Sequence, residues 1–296
     1  MSRALVLGGG GPVGIAWESG LIAGLARAGV DLANADFIMG TSAGSFVGAR
    51  LALGADPQSL VDPILAETPG VRGAGSPSSP GKAAPDLTRL MRLMVESHSG
   101  VRDPRAVRQD IGAFALAAET PDEAAFIQSF GRAFASLPDD AWPQRDYACT
   151  AVDAATGEFQ LWTRDSGVGV TRAVASSCSV PGVYPPVSLN GRRYMDGGMR
   201  SSTNADLAVG HELVVVVQVR VGAAAGAAAE AYARRFEEEV GVLRGGGAQV
   251  VVLSPDEGSQ AAMGVNLMDF RNRVPAARAG LAQGEAEAQA LRAVWP

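Results

Sequence analysis

The sequence predicts a three-layer α/β fold in which a largely parallel central sheet lies between two layers of helices. Short apolar runs typical of strands alternate with longer segments of helical periodicity, an alternation that favours a parallel sheet. Residues 213–219 are apolar except for Gln218, as expected for a strand buried on both faces. Consecutive helix-like segments interrupt the alternation at about residues 68–146. We therefore expect one domain over residues 1–296 with a helical, cap-like insertion at about 68–146.

The composition argues against several other classes of protein. Hydrophobic residues make up 47% of the chain and charged residues 19%, which suits a sizeable core and not a disordered chain. The net charge of −6 argues against nucleic acid as a partner. No apolar run approaches the roughly 18 residues of a membrane-spanning helix, and the N-terminal one is too short for a signal peptide. Two cysteines and two histidines are too few for a structural zinc site or a disulfide framework, and a reduced, cytoplasmic location fits best.

The first 53 residues predict two strand–helix units. Residues 4–7 predict a strand, which a glycine-rich loop joins to a helix over residues 15–28, with Pro12 in its first turn. Residues 37–39 predict the second strand, which runs directly into a Gly-x-Ser-x-Gly turn and a helical run.

The rest of the chain begins with a Gly/Ser/Pro-rich loop at residues 73–82, for which we expect flexibility. Helices are predicted at 87–96, 104–116, 121–137, 168–177, 227–243 and 275–294, and strands at 147–152, 158–162, 187–189, 192–196, 213–219 and 249–253. The apolar, methionine-containing face of the first of these helices indicates packing on the core or, alternatively, a lid that meets an acyl chain or a membrane.

Ser42 stands at the centre of the turn Gly40-Thr41-Ser42-Ala43-Gly44. A serine on a strand-to-helix elbow has its hydroxyl exposed beside helix N-terminal N–H groups, where negative charge is favoured. This position predicts a nucleophile. The alternative is a tight strand–helix junction in which Ser42 only caps the helix.

The glycine loop allows two interpretations. Gly9-x-Gly11-x-x-Gly14 follows a strand and precedes a helix, as a dinucleotide-binding fingerprint does. That fingerprint also needs an acidic residue at the end of the next strand, whereas Asp31 and Asp36 precede that strand. Packed N–H groups at a helix N-terminus hold a pyrophosphate or, equally, a tetrahedral oxyanion.

A serine nucleophile needs a base, and the two histidines are poorly placed for this role. His98 lies near the end of a predicted helix, and His211 at the N-terminal end of a strand, whereas active sites of open parallel sheets lie at the carboxyl ends. Asp196 is the better candidate, because an Asn190-Gly191 hairpin delivers it directly before Gly197 and Gly198. It would have to be partly desolvated and in contact with Ser42. Asp153, Asp206 and Asp269 stay open as alternatives.

Together these segments resemble the patatin-like phospholipase family of serine lipid acyl hydrolases. The loop of Gly9, Gly10, Gly11 and Gly14 looks like that family's oxyanion-hole motif. The turn from Gly40 to Gly44 looks like its nucleophile elbow, and Asp196-Gly197-Gly198 like its aspartate motif. Residues 175–187 are similar to the stretch that precedes the aspartate hairpin.

The resemblance implies a patatin-like fold and a Ser–Asp dyad in which Ser42 attacks an ester carbonyl and Asp196 accepts its proton. It implies a lipid or small acyl-ester substrate, no metal or cofactor, and a cytoplasmic protein compatible with transient peripheral membrane contact. No particular oligomeric state is predicted. One position departs from the family, which often carries Arg or Lys where this loop has Val13. A nucleotide-binding oxidoreductase and a catalytically weak lipid-binding module are the alternative functions.

Overall fold

A mixed sheet forms the middle of the molecule. The structure, a computed structural model, describes residues 1–67, 87–134, 137–219 and 227–295. Within these residues the strands are β1 (Arg3–Leu7), β2 (Phe37–Gly40), β3 (Asp146–Asp153), β4 (Phe159–Trp162), β5 (Val187–Leu189), β6 (Arg192–Asp196), β7 (Leu213–Val217) and β8 (Gln249–Leu253). Their order is β5-β6-β3-β2-β1-β7-β8, with β4 paired to β3. The neighbouring strands β3, β2, β1, β7 and β8 pair in parallel, whereas β4, β5 and β6 pair antiparallel.

Helices cover both faces of this sheet, and the described ones are α1 (Gly11–Arg27), α2 (Ala43–Ala52), α3 (Asp62–Leu65), α4 (Thr88–Ser99), α5 (Pro104–Ala117), α6 (Glu123–Phe134), α7 (Val170–Ser177), α8 (Ala227–Gly245), α9 (Glu257–Met263) and α10 (Arg273–Arg292). Leu5 and Leu7 of β1 lie in one core cluster with residues of α1, α2, α7 and α10. Ala4 and Val6 lie in a second cluster with residues of α8. Alternate residues of one strand are thus buried on opposite faces, which confirms the predicted three-layer α/β arrangement with a mostly parallel sheet.

The bounds predicted from the sequence agree with those in the structure to within a few residues for most elements. Asn190 and Gly191 both have positive φ, 50° and 75°, as a type I′ hairpin requires. Helix α1 begins at Gly11, one turn earlier than predicted, since Pro12 is accommodated in its first turn. The two short helices α3 and α9 were not predicted. The loop at residues 73–82 lies outside the described residues.

Helices α1 and α10 pack with their backbones in close contact through glycines. A Cβ atom at Gly20 of α1 would lie 2.2 Å from the Ala277 carbonyl oxygen of α10. Reciprocally, a Cβ atom at Gly280 of α10 would lie 2.3 Å from the Trp17 carbonyl oxygen of α1. The same relation holds one turn further along, between Gly24 and Gly284. Only glycine permits this approach, so α10 has a defined position on α1.

The predicted insertion contributes α4, α5 and α6 to the described residues. Leu90 and Met94 of α4 are buried in a cluster with Ile111 of α5 and Met195 of β6. Met91 is 54% exposed. Most of the predicted apolar face of α4 therefore packs on the core, in agreement with the simpler of the two interpretations. None of the described helices has the length and hydropathy needed to span a membrane.

Candidate active site

Ser42 lies in the turn between β2 and α2, with a strained backbone. Its φ of 53° and ψ of −116° are rare for a residue with a side chain. Both flanking glycines are needed, because a Cβ atom at Gly40 would lie 2.3 Å from the Gly44 carbonyl oxygen, and one at Gly44 2.2 Å from that of Leu7. The Ser42 side chain makes no capping hydrogen bond to α2. Ser42 thus stands at the N-cap position of this helix, as the alternative expects, but its side chain does not make the capping bond.

The backbone of Ser42 is fixed by the end of α7. Its N–H donates to Ser177 Oγ at 2.9 Å, and its carbonyl oxygen accepts from Cys178 Sγ at 3.1 Å. The Ser45 hydroxyl donates to the same carbonyl at 2.6 Å. These bonds hold the backbone of Ser42 and leave its hydroxyl available to other partners. They also explain why the stretch 175–187 accompanies the other motifs.

Asp196, the last residue of β6, lies beside the Ser42 side chain, close enough for the Ser42 hydroxyl to stabilise the ionised carboxylate. Its side chain is buried, with 2% of the residue exposed. The Gly198 N–H donates to Asp196 Oδ1 at 2.7 Å. Gly197 allows close packing, because a Cβ atom there would lie 2.1 Å from Thr150 Oγ1. The structure thus brings together the serine and the aspartate that the sequence motifs single out.

The environment of Asp196 changes its acidity. Burial raises the pKa of Asp196 to about 7, because desolvation outweighs the hydrogen bonds from Ser42 and from the Gly198 N–H, which favour the ionised form. A carboxylate with an ordinary pKa is a weak base towards a hydroxyl group. Near neutral pH the shifted group is a stronger base that is still substantially ionised.

The other acidic candidates have different partners. Each is paired with an arginine: Asp153 with Arg192, Asp206 with Arg200, and Asp269 with Arg271. In addition, Asp31 accepts from the Ala33 N–H and Asp36 from the Arg3 N–H, before β2 begins. None of these five aspartates contacts the elbow. Asp31 and Asp36 are also at the wrong end of β2 to bind a ribose, which removes the second half of the dinucleotide fingerprint.

His211 lies at the opposite edge of the sheet from Ser42. Its ring stacks on that of Phe37, the first residue of β2, with centroids 5.4 Å apart. The whole of β2, which spans about 10 Å, therefore lies between Phe37 and the turn that contains Ser42. His98 belongs to α4, and its side chain lies outside the described part of the structure. No described residue of α4 lines the cavity at Ser42.

The glycine loop lies directly against the elbow. A Cβ atom at Gly9 would lie 3.3 Å from Ser42 Cβ. The Gly9 N–H donates to the Ser202 carbonyl and the Gly14 N–H to the Gly10 carbonyl, both at 2.7 Å. The N–H groups of Gly10 and Gly11 have no acceptor among the described residues. Of the four glycines predicted for an oxyanion hole, two therefore have free donors, whereas Gly9 and Gly14 shape the loop.

Ala43 adds a third free donor beside the nucleophile. Its N–H, at the first position of α2, likewise finds no acceptor within the described chain. Both Ala43 and Gly11 line the cavity at Ser42. The N-termini of α1 and α2 thus both border the cavity at Ser42, and helix N-termini favour negative charge.

A buried polar network joins the elbow to the aspartate loop. Thr41 Oγ1 lies 2.9 Å from Thr150 Oγ1 and accepts from Asn204 Nδ2 at 3.0 Å. Asn204 Nδ2 also donates to the Gly197 carbonyl oxygen at 3.3 Å. The network fixes the two motifs relative to one another. Sequence reasoning missed Thr150 and Asn204, because neither belongs to a recognisable motif.

An apolar cavity of about 420 Å³ opens at Ser42. Aromatic side chains from several elements line it, among them Phe46, Phe126, Phe130, Tyr184 and Phe270. Phe126 and Phe130 come from α6, so the part of the predicted insertion that reaches the cavity is α6 rather than α4. A cavity with this volume and lining is typical of a site for a small, mostly apolar ligand.

Comparison with known proteins accounts for the ordered motifs. The sequence profile described as patatin-like phospholipase matches residues 5–209. The chain belongs to the patatin-like phospholipase family. This membership confirms the family resemblance on which the expectation of a lipid ester hydrolase rests. The matched segment contains the glycine loop, the elbow and the aspartate loop, and ends before β7, α8, β8, α9 and α10.

Curated relatives of this patatin-like chain are much longer proteins. It is 31% identical over 197 residues to the lysophospholipase NTE1 of Phaeosphaeria nodorum. The aligned residues cover 67% of the chain and 10% of that protein. It is 30% identical over 221 residues to the lysophospholipase nte1 of Aspergillus niger, covering 75% of the chain and 12% of that protein. The chain therefore spans about a tenth of the length of these relatives.

Solved structures similar to this patatin-like chain include two of low sequence identity. VipD from Legionella pneumophila is 15% identical, with a TM-score of 0.47 over 98% of the chain and 67% of VipD. The type III effector protein ExoU is 16% identical, with a TM-score of 0.39 over 98% of the chain and 53% of ExoU.

Proposed function

We propose that this chain is a lipid acyl hydrolase in which Ser42 is the nucleophile and Asp196 the general base. The single observation that carries the proposal is the contact of the Ser42 side chain with a buried Asp196, at the mouth of an apolar cavity. Family membership and the lysophospholipase names of the relatives support an acyl ester of a lipid, and a lysophospholipid in particular, as the substrate class.

The first half of the reaction forms an acyl-enzyme. Ser42 Oγ attacks the ester carbonyl carbon while Asp196 takes the hydroxyl proton, giving a tetrahedral intermediate with a negatively charged oxygen. The free N–H groups of Gly10, Gly11 and Ala43 stabilise that oxyanion. Collapse of the intermediate breaks the bond to the alcohol part of the lipid, which leaves with the proton from Asp196.

The second half of the reaction releases the fatty acid. Water attacks the acyl-Ser42 carbonyl carbon, Asp196 accepts a proton from the water, and a second tetrahedral intermediate forms in the same site. Its collapse gives the free fatty acid and returns the proton to Ser42 Oγ. During both steps the acyl chain occupies the cavity lined by Phe46 and by Phe126 and Phe130 of α6.

Substitution of the two dyad residues tests the proposal. Ser42→Ala and Asp196→Asn should each lower kcat on a lysophospholipid and on a short-chain p-nitrophenyl ester, because the first removes the nucleophile and the second the base. For loss of the base we expect a fall of about 10²–10⁴-fold. Far-ultraviolet circular dichroism and the melting temperature verify folding. Wild-type turnover by both variants would show that the dyad is not the catalytic pair.

A catalytically weak lipid-binding module is the remaining alternative. The raised pKa of Asp196 favours the enzyme, because a module that only binds lipid has no need of a desolvated carboxylate against a strained serine.

The cytoplasm, with peripheral access to membrane lipid, stays the expected location. The two buried cysteines, which are both free thiols, support it.

A further inference from the structure

The cavity at Ser42 contains one pair of charged side chains. Among the described residues that line it, only Glu67 and Arg273 are charged, and most of the others are apolar or aromatic. Arg273 opens α10, whereas Glu67 follows α3. A charged pair in a mostly apolar cavity is costly to desolvate, so its presence calls for an explanation.

The hydrogen bonds of Arg273 leave part of its guanidinium unused. Its Nε and Nη2 donate to the Glu67 carboxylate at 3.0 and 2.8 Å, and its Nη1 donates to the Pro12 carbonyl oxygen at 3.0 Å. Three of the five N–H donors of an arginine are thus engaged, and two have no acceptor among the described residues. The side chain is held rigidly at the cavity wall, with 14% of its surface exposed.

Arg273 also supplies a charge that the glycine loop lacks. Val13 of that loop is fully buried, and its N–H donates to the Leu267 carbonyl oxygen. The bond from Arg273 to Pro12 places the guanidinium directly on this loop. Because α10 packs on α1 through reciprocal glycines, the position of Arg273 relative to the loop is fixed by the fold. Arg273 lies outside the segment that the family profile matches.

We propose that Arg273 is a specificity-determining residue that binds a phosphate oxygen of the lipid headgroup. The proposal rests on the function proposed above and assigns the headgroup end of the substrate to the Glu67–Arg273 wall. An arginine with two free N–H groups is suited to phosphate, which accepts two parallel hydrogen bonds. Glu67, which is 33% exposed, holds the guanidinium in place before the substrate enters. The cavity then prefers phosphate-bearing acyl esters to neutral ones.

The test compares a lysophospholipid with a monoacylglycerol of the same acyl chain, so that the two substrates differ only in the phosphate-bearing headgroup. Arg273→Met keeps much of the side-chain volume and removes the donors. We expect KM for the lysophospholipid to rise by roughly 10- to 100-fold, as for loss of a hydrogen bond to a charged group, with KM for the monoacylglycerol changed less than about twofold. Arg273→Lys, which keeps the charge without the planar fork, should give an intermediate KM for the lysophospholipid.

Two further variants sharpen the comparison. Arg271 lies two residues away, is 74% exposed and pairs with Asp269. Arg271→Met should therefore leave KM for both substrates unchanged. Glu67→Gln keeps an oxygen that can hold the Arg273 guanidinium but removes the negative charge that repels a phosphate, so it should lower KM for the lysophospholipid alone. Labelling of Ser42 by a fluorophosphonate shows that each variant is folded. If Arg273→Met does not fold, Arg273→Lys and Glu67→Gln still carry the test.

The outcomes separate this inference from the proposed function. If the wild-type enzyme hydrolyses neither substrate, or if Ser42→Ala keeps wild-type rates, the proposed function fails. If the wild-type enzyme hydrolyses both substrates and Arg273→Met changes both KM values equally or neither, only the role of Arg273 is overturned. A wild-type enzyme that hydrolyses the monoacylglycerol but not the lysophospholipid would overturn it as well.

Discussion

Asp196 can act as a base only because of its surroundings. It ends a strand, it is buried, and its hydrogen bonds come from Ser42 and from the Gly198 N–H. An exposed aspartate has a pKa of about 4 and little tendency to take a proton from a hydroxyl group. Here desolvation moves the pKa to about 7, into the range in which a general base works efficiently.

This pKa predicts the pH dependence of the reaction. Asp196 must be ionised to accept the Ser42 proton, so kcat/KM should fall about tenfold per pH unit below pH 6 and level off above pH 8. The midpoint should lie near pH 7, the pKa to which burial raises Asp196. Initial rates on a p-nitrophenyl ester, corrected for the ionisation of the product, measure the profile. A rate that is constant from pH 5.5 to 8.5 would contradict a catalytic base with a pKa near 7.

The residues of the site divide into those that local sequence can identify and those that it cannot. Ser42 and Asp196 were predicted, because each lies in a short motif whose glycines are required by close backbone contacts. Thr150, Asn204 and Arg273 were not predicted. Thr150 and Asn204 both hydrogen-bond to Thr41, and Arg273 to Pro12, and these partners are distant in sequence. Only the fold brings these partners together.

Helix α10 is far from the motifs in sequence, yet it contributes directly to the site. Its glycines pack on those of α1, and its first residue is Arg273. The sequence predicted the helix from its alanine-rich composition but gave no sign of where it would pack. Likewise the periodicity predicted both α4 and α6, yet could not tell that α6 lines the cavity. Periodicity indicates that one face of a helix is buried, whereas tertiary packing determines which element covers that face.

The α1–α10 contact predicts opposite effects for two Gly→Ala substitutions. A Cβ atom at Gly280 would lie 2.3 Å from the Trp17 carbonyl oxygen, whereas Gly241 of α8 has no atom within 4 Å of its Cβ position. Gly280→Ala should therefore reduce the free energy of unfolding by about 1–3 kcal/mol through overpacking. Gly241→Ala should raise it by up to about 1 kcal/mol, because alanine favours a helix.

Urea denaturation followed by circular dichroism measures both changes. Since displacement of α10 also moves Arg273, Gly280→Ala should lower activity on a lysophospholipid, with Gly241→Ala as the matched control. Equal stability changes for the two variants would show that α1 and α10 are not packed through their glycines.

At the scale of the whole molecule, strand order assembles the site. β1 and β2 are parallel neighbours, so the glycine loop and Ser42 follow their carboxyl ends at the same edge of the sheet. Asp196 arrives from the antiparallel strand β6, which reaches this edge because β3 lies between β2 and β6. The sequence predicted the class of fold and all eight of the described strands. It did not predict their order, because pairing between distant strands leaves no local signal.

The central claim is that Asp196 activates Ser42, and the rate of covalent labelling tests it most directly. The second-order rate constant for reaction with a fluorophosphonate is measured by intact mass, with the adduct located by peptide mapping. For the wild-type protein we expect a single adduct on Ser42, formed faster as the pH rises through about 7. Asp196→Asn should react about 10²–10⁴-fold more slowly. An adduct on another residue, or labelling of Asp196→Asn at the wild-type rate, would contradict the account.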